Sequence, residues 1–234
     1  MTNTLDMAPF LPVPDPRPQD VRWPDMIWPV PPETMLVGRN LDLIPLHPRE
    51  HAGELFAALN DERVWVHFQC RASDPAAFED KLADRWARLG WHPWAVRLTR
   101  EMRGFPPGAL AGMTAYIDAN PYDACLEVGA TAYAPSLWGT TVNAEAKLLL
   151  LTYAFENLNV GRVQLKTDTR NHRSQLAIAR LGARYEGTLR RRHRRDDGTL
   201  RDVVMFSITV DDWPEVRSRL IQRVTGRAEW PGSR

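Results

Sequence analysis

From residue 36 onward the apolar positions repeat with two alternating periods, and each switch of period marks a short strand or an amphipathic helix. "LDLIPL" (41–46) reads as a first strand, and "PREHAGELFAALN" behind it sets Ala52, Leu55, Phe56 and Leu59 at helical spacing. Asp74 followed by Pro75 predicts a helix start, with Phe78, Leu82 and Trp86 on one stripe and Gly90 as the stop. "WAVRLT", "ALAGMTAYID" and "CLEVGATAYA" then read as three successive strands, separated by turns at "EMRGFPPG" and "NPYD". Such a run predicts antiparallel meander pairing. A long apolar helix follows over 142–158, ended at Asn159 or Gly161 by a left-handed residue. "RVQLKTD" alternates Val163, Leu165 and Thr167 against Gln164 and Lys166, as a strand covered mainly on one face would. Asn171 caps a helix running to Leu181, with Gly182 as its stop, and "ARYEGTLRRRHRR", "DDG" and "LRDVVMFSITV" predict a closing hairpin.

Ahead of this pattern, residues 1–35 hold nine of the nineteen prolines. Proline fixes φ and withholds an amide donor, so an extended arm poor in regular structure is expected. Trp23, Met26, Ile27 and Trp28 give the arm apolar anchors, and we expect it to pack across its own domain or a partner subunit, as in a homodimer, near the substrate cleft.

Composition narrows the picture. Apolar residues at 44% and charged residues at 25% of 234 fit one substantial globular domain with an appendage. The formal net charge of +1 leaves no global field to attract nucleic acid or an anionic membrane. Cys70 and Cys125 form neither a disulfide framework nor a metal-ligand spacing, so two buried free thiols and no metal site are expected. No apolar run reaches the roughly 18 residues of a membrane span, and no basic stretch precedes a long apolar core near the N-terminus. These readings predict a cytoplasmic protein with no membrane partner.

Chemistry concentrates at "GTTVNA" (139–144), where the long helix begins. The first amides of a helix lack partners and carry the positive end of its dipole. Gly139 and Ala144 keep bulk away, while Thr140, Thr141 and Asn143 offer side-chain hydrogen bonds, so an anion such as a phosphate fits there. Plain capping also explains these residues. A second polar helix start, with Asn171 and Ser174 three apart, follows the next strand.

The stretch "APSLWGTTVNAEAKLLLLTYAFENLNVGRVQLKTDTRNHRSQLAIARLGARYEGTLRR" resembles the GNAT superfamily of N-acetyltransferases, in its RimJ/RimL-like branch. Five features match in order: a Trp-Gly loop, Glu-Ala in the helix, Thr-Asp-x-x-Asn-x-x-Ser, Leu-Gly-Ala and Glu-Gly. The likeness spans 39–213 and divides the chain into an arm (1–35), an acyltransferase domain (36–213) and a C-terminal helix or tail (214–234). It implies an α+β fold, with a mixed, mostly antiparallel central sheet flanked by helices and splayed between its fourth and fifth strands. It also implies acetyl-CoA, or another acyl-CoA, as cosubstrate in that opening. By the same resemblance the backbone of Ala132 and Tyr133 pairs with the pantetheine arm. Gly139, Thr140, Thr141, Val142 and Asn143 hold the pyrophosphate, Trp138 and Asn171 contact the cofactor, and Ser174 lies near its sulfur. Thr141 stands where the family usually has glycine or a smaller residue.

Forming an amide from a thioester needs a neutral amine, a polarised carbonyl and a thiolate that can leave. Ser174 is the candidate donor to the leaving sulfur, with helix capping as its plain alternative. Glu127 is the candidate base; it lies six residues before Tyr133, an even spacing that puts both on one side of an unbulged strand. Pairing with a nearby arginine is the other explanation for it. His193 is the second candidate base, inside "RRRHRR", where neighbouring cations would lower its pKa. Glu145 and Lys147 lie early in the long helix, where the dipole accounts for the glutamate. Trp65, Phe68, Trp86, Trp91 and Trp94 are expected mostly in the core, with one or two lining an acceptor site. The reading is transfer of an acetyl group to a primary amine, a protein N-terminus or a small molecule. A weakly catalytic acyl-CoA-binding sensor or scaffold is one alternative. An RNA- or ribosome-associated protein using the arginine hairpin is another, although edge-strand arginines have their own role against aggregation.

Overall fold

The computed structural model describes residues 11–15, 21–67, 71–195 and 197–226, and the side chains of all of these but 85–89. A short β1 (Leu36–Val37) leads into β2 (Leu41–Pro45), followed by helices α1 (Pro48–Leu59), α2 (Glu62–Trp65) and α3 (Pro75–Leu89). Strands β3 (His92–Leu98), β4 (Leu110–Asn120) and β5 (Cys125–Tyr133) come next. A 3₁₀ turn at Pro135–Leu137 precedes α4 (Val142–Thr152), which widens into a π-helix at Tyr153–Asn157. Then come β6 (Arg162–Asp168), α5 (His172–Ala179), β7 (Arg184–Arg194), β8 (Leu200–Thr209) and α6 (Trp213–Thr225).

Local chemistry explains most boundaries. Asp74 Oδ1 accepts the Ala77 N–H at 2.8 Å and starts α3, while Asp61 does the same for α2 through the Arg63 N–H. Asn159, at φ +57°, supplies the left-handed residue behind the π-helix. Gly226, at φ +68°, does the same behind α6.

The strands form one eight-stranded sheet in the order β1-β2-β3-β4-β5-β6-β8-β7. All neighbours are antiparallel except β5 and β6. One face packs on α4, α5 and α6, where Tyr116, Leu126, Val128, Leu150, Val163, Ile178 and Leu220 are buried together. The other face packs on α1, α2 and α3 through Leu55, Leu59, Val64, Phe78 and Leu82. Burying each such large apolar side chain stabilises the fold by about 1.5–3 kcal/mol before entropy is counted. The sheet and its two helical layers thus match the α+β fold expected, with its splay one strand number later because β1 is counted.

The parallel pairing of β5 with β6 is short. Cys125, Leu126 and Glu127 pair with Arg162, Val163 and Gln164, and the ladder stops there. β5 continues to Tyr133 and β6 to Asp168, so the two strands diverge and leave a fork open at their C-terminal ends. The stretch 23–30 of the arm is docked at the opposite, closed end. Trp23 Nε1 donates to the Asn159 carbonyl at 2.8 Å, the Ile27 N–H donates to Leu158 at 2.9 Å, and Met26 and Val30 are buried in the core. These contacts are all with its own domain.

Candidate functional site

The fork owes its shape to a bulge in β5. Met113 pairs with Ala132 but Ala115 with Gly129, so β5 spends one extra residue there, and Ala130 takes φ +47°. The bulge resets the side-chain alternation. Tyr133 lies on the α4 face with Leu126 and Val128, while Ala132 lies on the α1 face. Glu127, between Leu126 and Val128, therefore points to the α1 face, and the shared side expected for Glu127 and Tyr133 is lost to the bulge. The Ala134 N–H donates to Ala111 at 2.9 Å, so by alternation the Tyr133 N–H and C=O point away from β4, into the fork. Trp138 Nε1 donates to that carbonyl at 3.0 Å and fixes its indole at the open end.

The start of α4 faces the same opening. Gly139 is exposed at φ +78°, and a Cβ placed on it would meet nothing within 4 Å. The Thr140 hydroxyl donates to the Leu137 carbonyl at 2.6 Å and accepts from the Val142 N–H at 3.3 Å. The amides of Thr141, Asn143 and Ala144 have no partner among the described residues. Thr141 makes no capping bond with its side chain. Across the fork Asn171 Oδ1 accepts the Ser174 N–H at 3.1 Å, so Asn171 is the cap of α5 and only its Nδ2 group remains for a ligand. Ser174, half-buried, sits on the first turn of that helix.

At the vertex, where the β5–β6 ladder ends, lies Glu127, 2% exposed. Its Oε2 meets Lys166 Nζ at 2.6 Å and accepts from Gln164 Nε2 at 3.2 Å. Its partner is thus a lysine, not the arginine considered from the sequence. Lys166 also reaches Asp118 Oδ2 at 3.0 Å. Burial pushes the Glu127 carboxyl up to about 7, against the opposing pull of Lys166. Burial disfavours the Lys166 ammonium, yet Glu127 and Asp118 outweigh it and hold its pKa above the usual lysine range.

His193 is half-buried, its pKa lowered first by burial and then by Lys166, Arg201 and Arg192. The arginine run does not alternate evenly: a register shift between Leu189 and His193 accompanies φ +52° at Arg191. Arg195 turns back onto buried Asp168, Nε to Oδ2 at 2.9 Å. Trp65 and Trp94 are core residues, Trp65 edge-on to Phe78 and Trp94 edge-on to Tyr116. Phe68, Cys70 and the Trp86 side chain lie outside the described parts, and Cys125 is a free, half-buried thiol.

Three features were missed in the sequence. Glu145, in the first turn of α4, is fully buried and accepts from the Arg39 and Asn40 amides at 2.5 and 2.8 Å, which ties α4 to the β1–β2 turn. Lys147 is buried with no carboxylate paired to it among the described residues, its Nζ donating to Thr131 at 2.7 Å and Thr114 at 3.2 Å. Finally, Arg173 Cζ lies 3.3 Å from the centroid of the Trp138 ring and Arg63 Cζ 5.5 Å from it. Only distant elements meet there, so no local spacing signals it. Among the described residues no three His, Cys, Asp or Glu side chains gather to hold a metal, and no helix is long and apolar enough to cross a membrane.

Comparison with known proteins agrees with this geometry. Residues 40–184 match the family model described as an acetyltransferase (GNAT) domain. A protein from T. thermophilus, named as an acetyltransferase, is 35% identical, with a TM-score of 0.74 over 85% of this chain and 100% of its own. A GCN5-related N-acetyltransferase from Brucella melitensis is 26% identical, with a TM-score of 0.73 over 83% of this chain and 86% of its own. Mycobacterium smegmatis RimJ, in complex with CoA-disulfide, shares the fold at 20% identity and a TM-score of 0.67, over 85% of this chain and 97% of its own.

Proposed function

Because the chain belongs to the GNAT family of acetyltransferases, we propose that it transfers an acetyl group from acetyl-CoA to a primary amine by direct attack in a ternary complex. The acceptor is a protein N-terminus or a small molecule, as in the RimJ/RimL-like branch whose ordered motifs the chain carries. The acyltransferase unit is the stretch 36–213, which contains the matched 40–184.

The observation that carries this reading is the fork itself, with the buried Glu127 carboxylate held against Lys166 at its vertex. The residues around the opening suit a coenzyme. Gly139 leaves open space where a side chain would stand, and the free amides of Thr141 and Asn143, with Thr140 and Val142 ordering the turn, suit a pyrophosphate. The inward-facing backbone of Tyr133, beside Ala132, suits an extended amide-bearing arm, and Trp138 and Asn171 flank it. Bound there, acetyl-CoA supplies an activated thioester carbonyl and a thiolate leaving group.

Glu127 takes the proton of the incoming ammonium, because a carboxyl near pH 7 is half ionised where the reaction runs. Lys166 stays charged and holds that carboxylate in place. Ser174 donates a hydrogen bond toward the departing sulfur from the first turn of α5. His193 is the weaker base, being surrounded by Lys166, Arg201 and Arg192.

Mixing acetyl-CoA with a panel of amines and following both thiol release and the acetylated amine tests the activity; thiol release without acetylated product contradicts it. Ser174→Ala should lower kcat about tenfold, the worth of one hydrogen bond in the transition state. Its affinity for acetyl-CoA should stay close to that of the parent, and full activity would remove Ser174 from the chemistry.

A further inference from the structure

Two guanidinium groups gather about one indole at the open end of the fork. Trp138 is held there by its indole N–H bond to the Tyr133 carbonyl. Against its ring stand two guanidinium groups from opposite layers: Arg63 from α2, on the Glu127 face of the sheet, and Arg173 from α5, on the other face. Arg63 is held in turn by Asp61, with bonds of 2.9 and 2.7 Å. Arg173 has no carboxylate within ion-pair distance among the described residues, and the charge that acts on it is that of Arg63. His67, beyond α2, feels Arg173, Arg201 and Arg195 together, against Asp168 alone.

A guanidinium stacked on an indole is oriented by its face, while its N–H donors lie in the plane and remain free. Arg173 is therefore a fixed, unpaired fork of donors at the entrance to the site. Its geometry matches a carboxylate or phosphate, which it can engage by two parallel bonds.

We propose that Arg63 and Arg173, set about Trp138, recognise an anionic group carried by the amine acceptor, so that the preferred acceptors bear a carboxylate or phosphate close to the reacting nitrogen. The proposal rests on the acyltransferase reading above. Arg63 selects the acceptor and not the coenzyme as the source of the anion, because α2 covers the face toward which Glu127 points, whereas the proposed pyrophosphate seat is at the start of α4 on the other face.

The test uses the full chain, acetyl-CoA and two C-terminally amidated dipeptides, called Ala-Asp and Ala-Asn below, of which only the first carries a carboxylate, for the parent, Arg173→Gln, Arg63→Gln and Arg173→Lys. The parent should acetylate Ala-Asp with a KM about tenfold or more below that for Ala-Asn. Arg173→Gln and Arg63→Gln should erase that difference with the acetyl-CoA Kd unchanged, and Arg173→Lys should restore part of it. Calorimetric titration of the CoA-saturated protein with the same dipeptides gives a readout independent of turnover. Tighter binding of Ala-Asp without acetylation would uphold the anion site and overturn acyl transfer. Equal binding and equal KM for the two dipeptides would overturn the anion site, as would arginine variants that weaken acetyl-CoA and spare the dipeptide, which would assign the anion to a coenzyme phosphate.

Discussion

Replacing Glu127 by Gln should lower kcat by about 10²–10⁴-fold, the usual contribution of a positioned general base, with little change in acetyl-CoA affinity. The substitution keeps the volume and the hydrogen bonds at the vertex, so the fold should persist. It removes the carboxyl whose pKa, pushed by burial to about 7, matches the working pH. In the parent, kcat/KM should rise as pH increases through about 7, because the carboxylate form accepts the proton. The variant should lose that limb. A variant that keeps both its rate and its pH limb would move the base elsewhere, with His193 next in line. Lys166→Met gives an independent check of sign: without the ammonium 2.6 Å away, the limb should move to higher pH.

Replacing Lys147 by Met should stabilise the protein at neutral pH by a few kcal/mol, with about 5 as the ceiling set by the pKa shift. Burial drives the Lys147 ammonium down to about 7 from 10.5, with no carboxylate among the described residues to oppose it. Between those two values the unfolded chain binds the proton and the folded chain does not, so parent stability should climb as pH rises from 7 toward 10.5. Below about 7 both forms are protonated and the full cost of the buried charge is felt. Methionine fills similar volume, and the two hydroxyls left behind already bond to each other at 2.8 Å. Melting curves at pH 7 and pH 9 check this: the parent should gain more than the variant over that interval, and a destabilised variant at both values would show that the Nζ bond to Thr131 outweighs the desolvation.

Much of the architecture was legible because it rests on periodicity and punctuation. The stripe Ala52, Leu55, Leu59 and the alternation Val163, Leu165 could each belong to only one kind of element, and Asp74, Asn171 and Gly182 marked boundaries through caps and left-handed turns. β1 and α2 escaped because two and four residues span about one period each, too little for a repeat to show. The candidate site divided along the same line. Gly139, Thr140 and Asn143 are adjacent in sequence and could be read together. The bulge at Ala130 could not, since alanine carries no preference for φ +47°, and it reversed the expected relation of Glu127 to Tyr133. Lys166 beside Glu127 and Arg173 on Trp138 join residues far apart in the chain, so only the folded sheet reveals them.

The central claim is that the gap between β5 and β6 seats an acyl-CoA, and amide-resolved NMR titration of the full chain with acetyl-CoA tests it directly. Saturable shifts should appear, below about millimolar coenzyme, at 132–133, 139–143 and 171–174, with the closed end near Ala124 and Gly161 unmoved. An unperturbed fork at that concentration, or saturable shifts confined to the closed end, would contradict it.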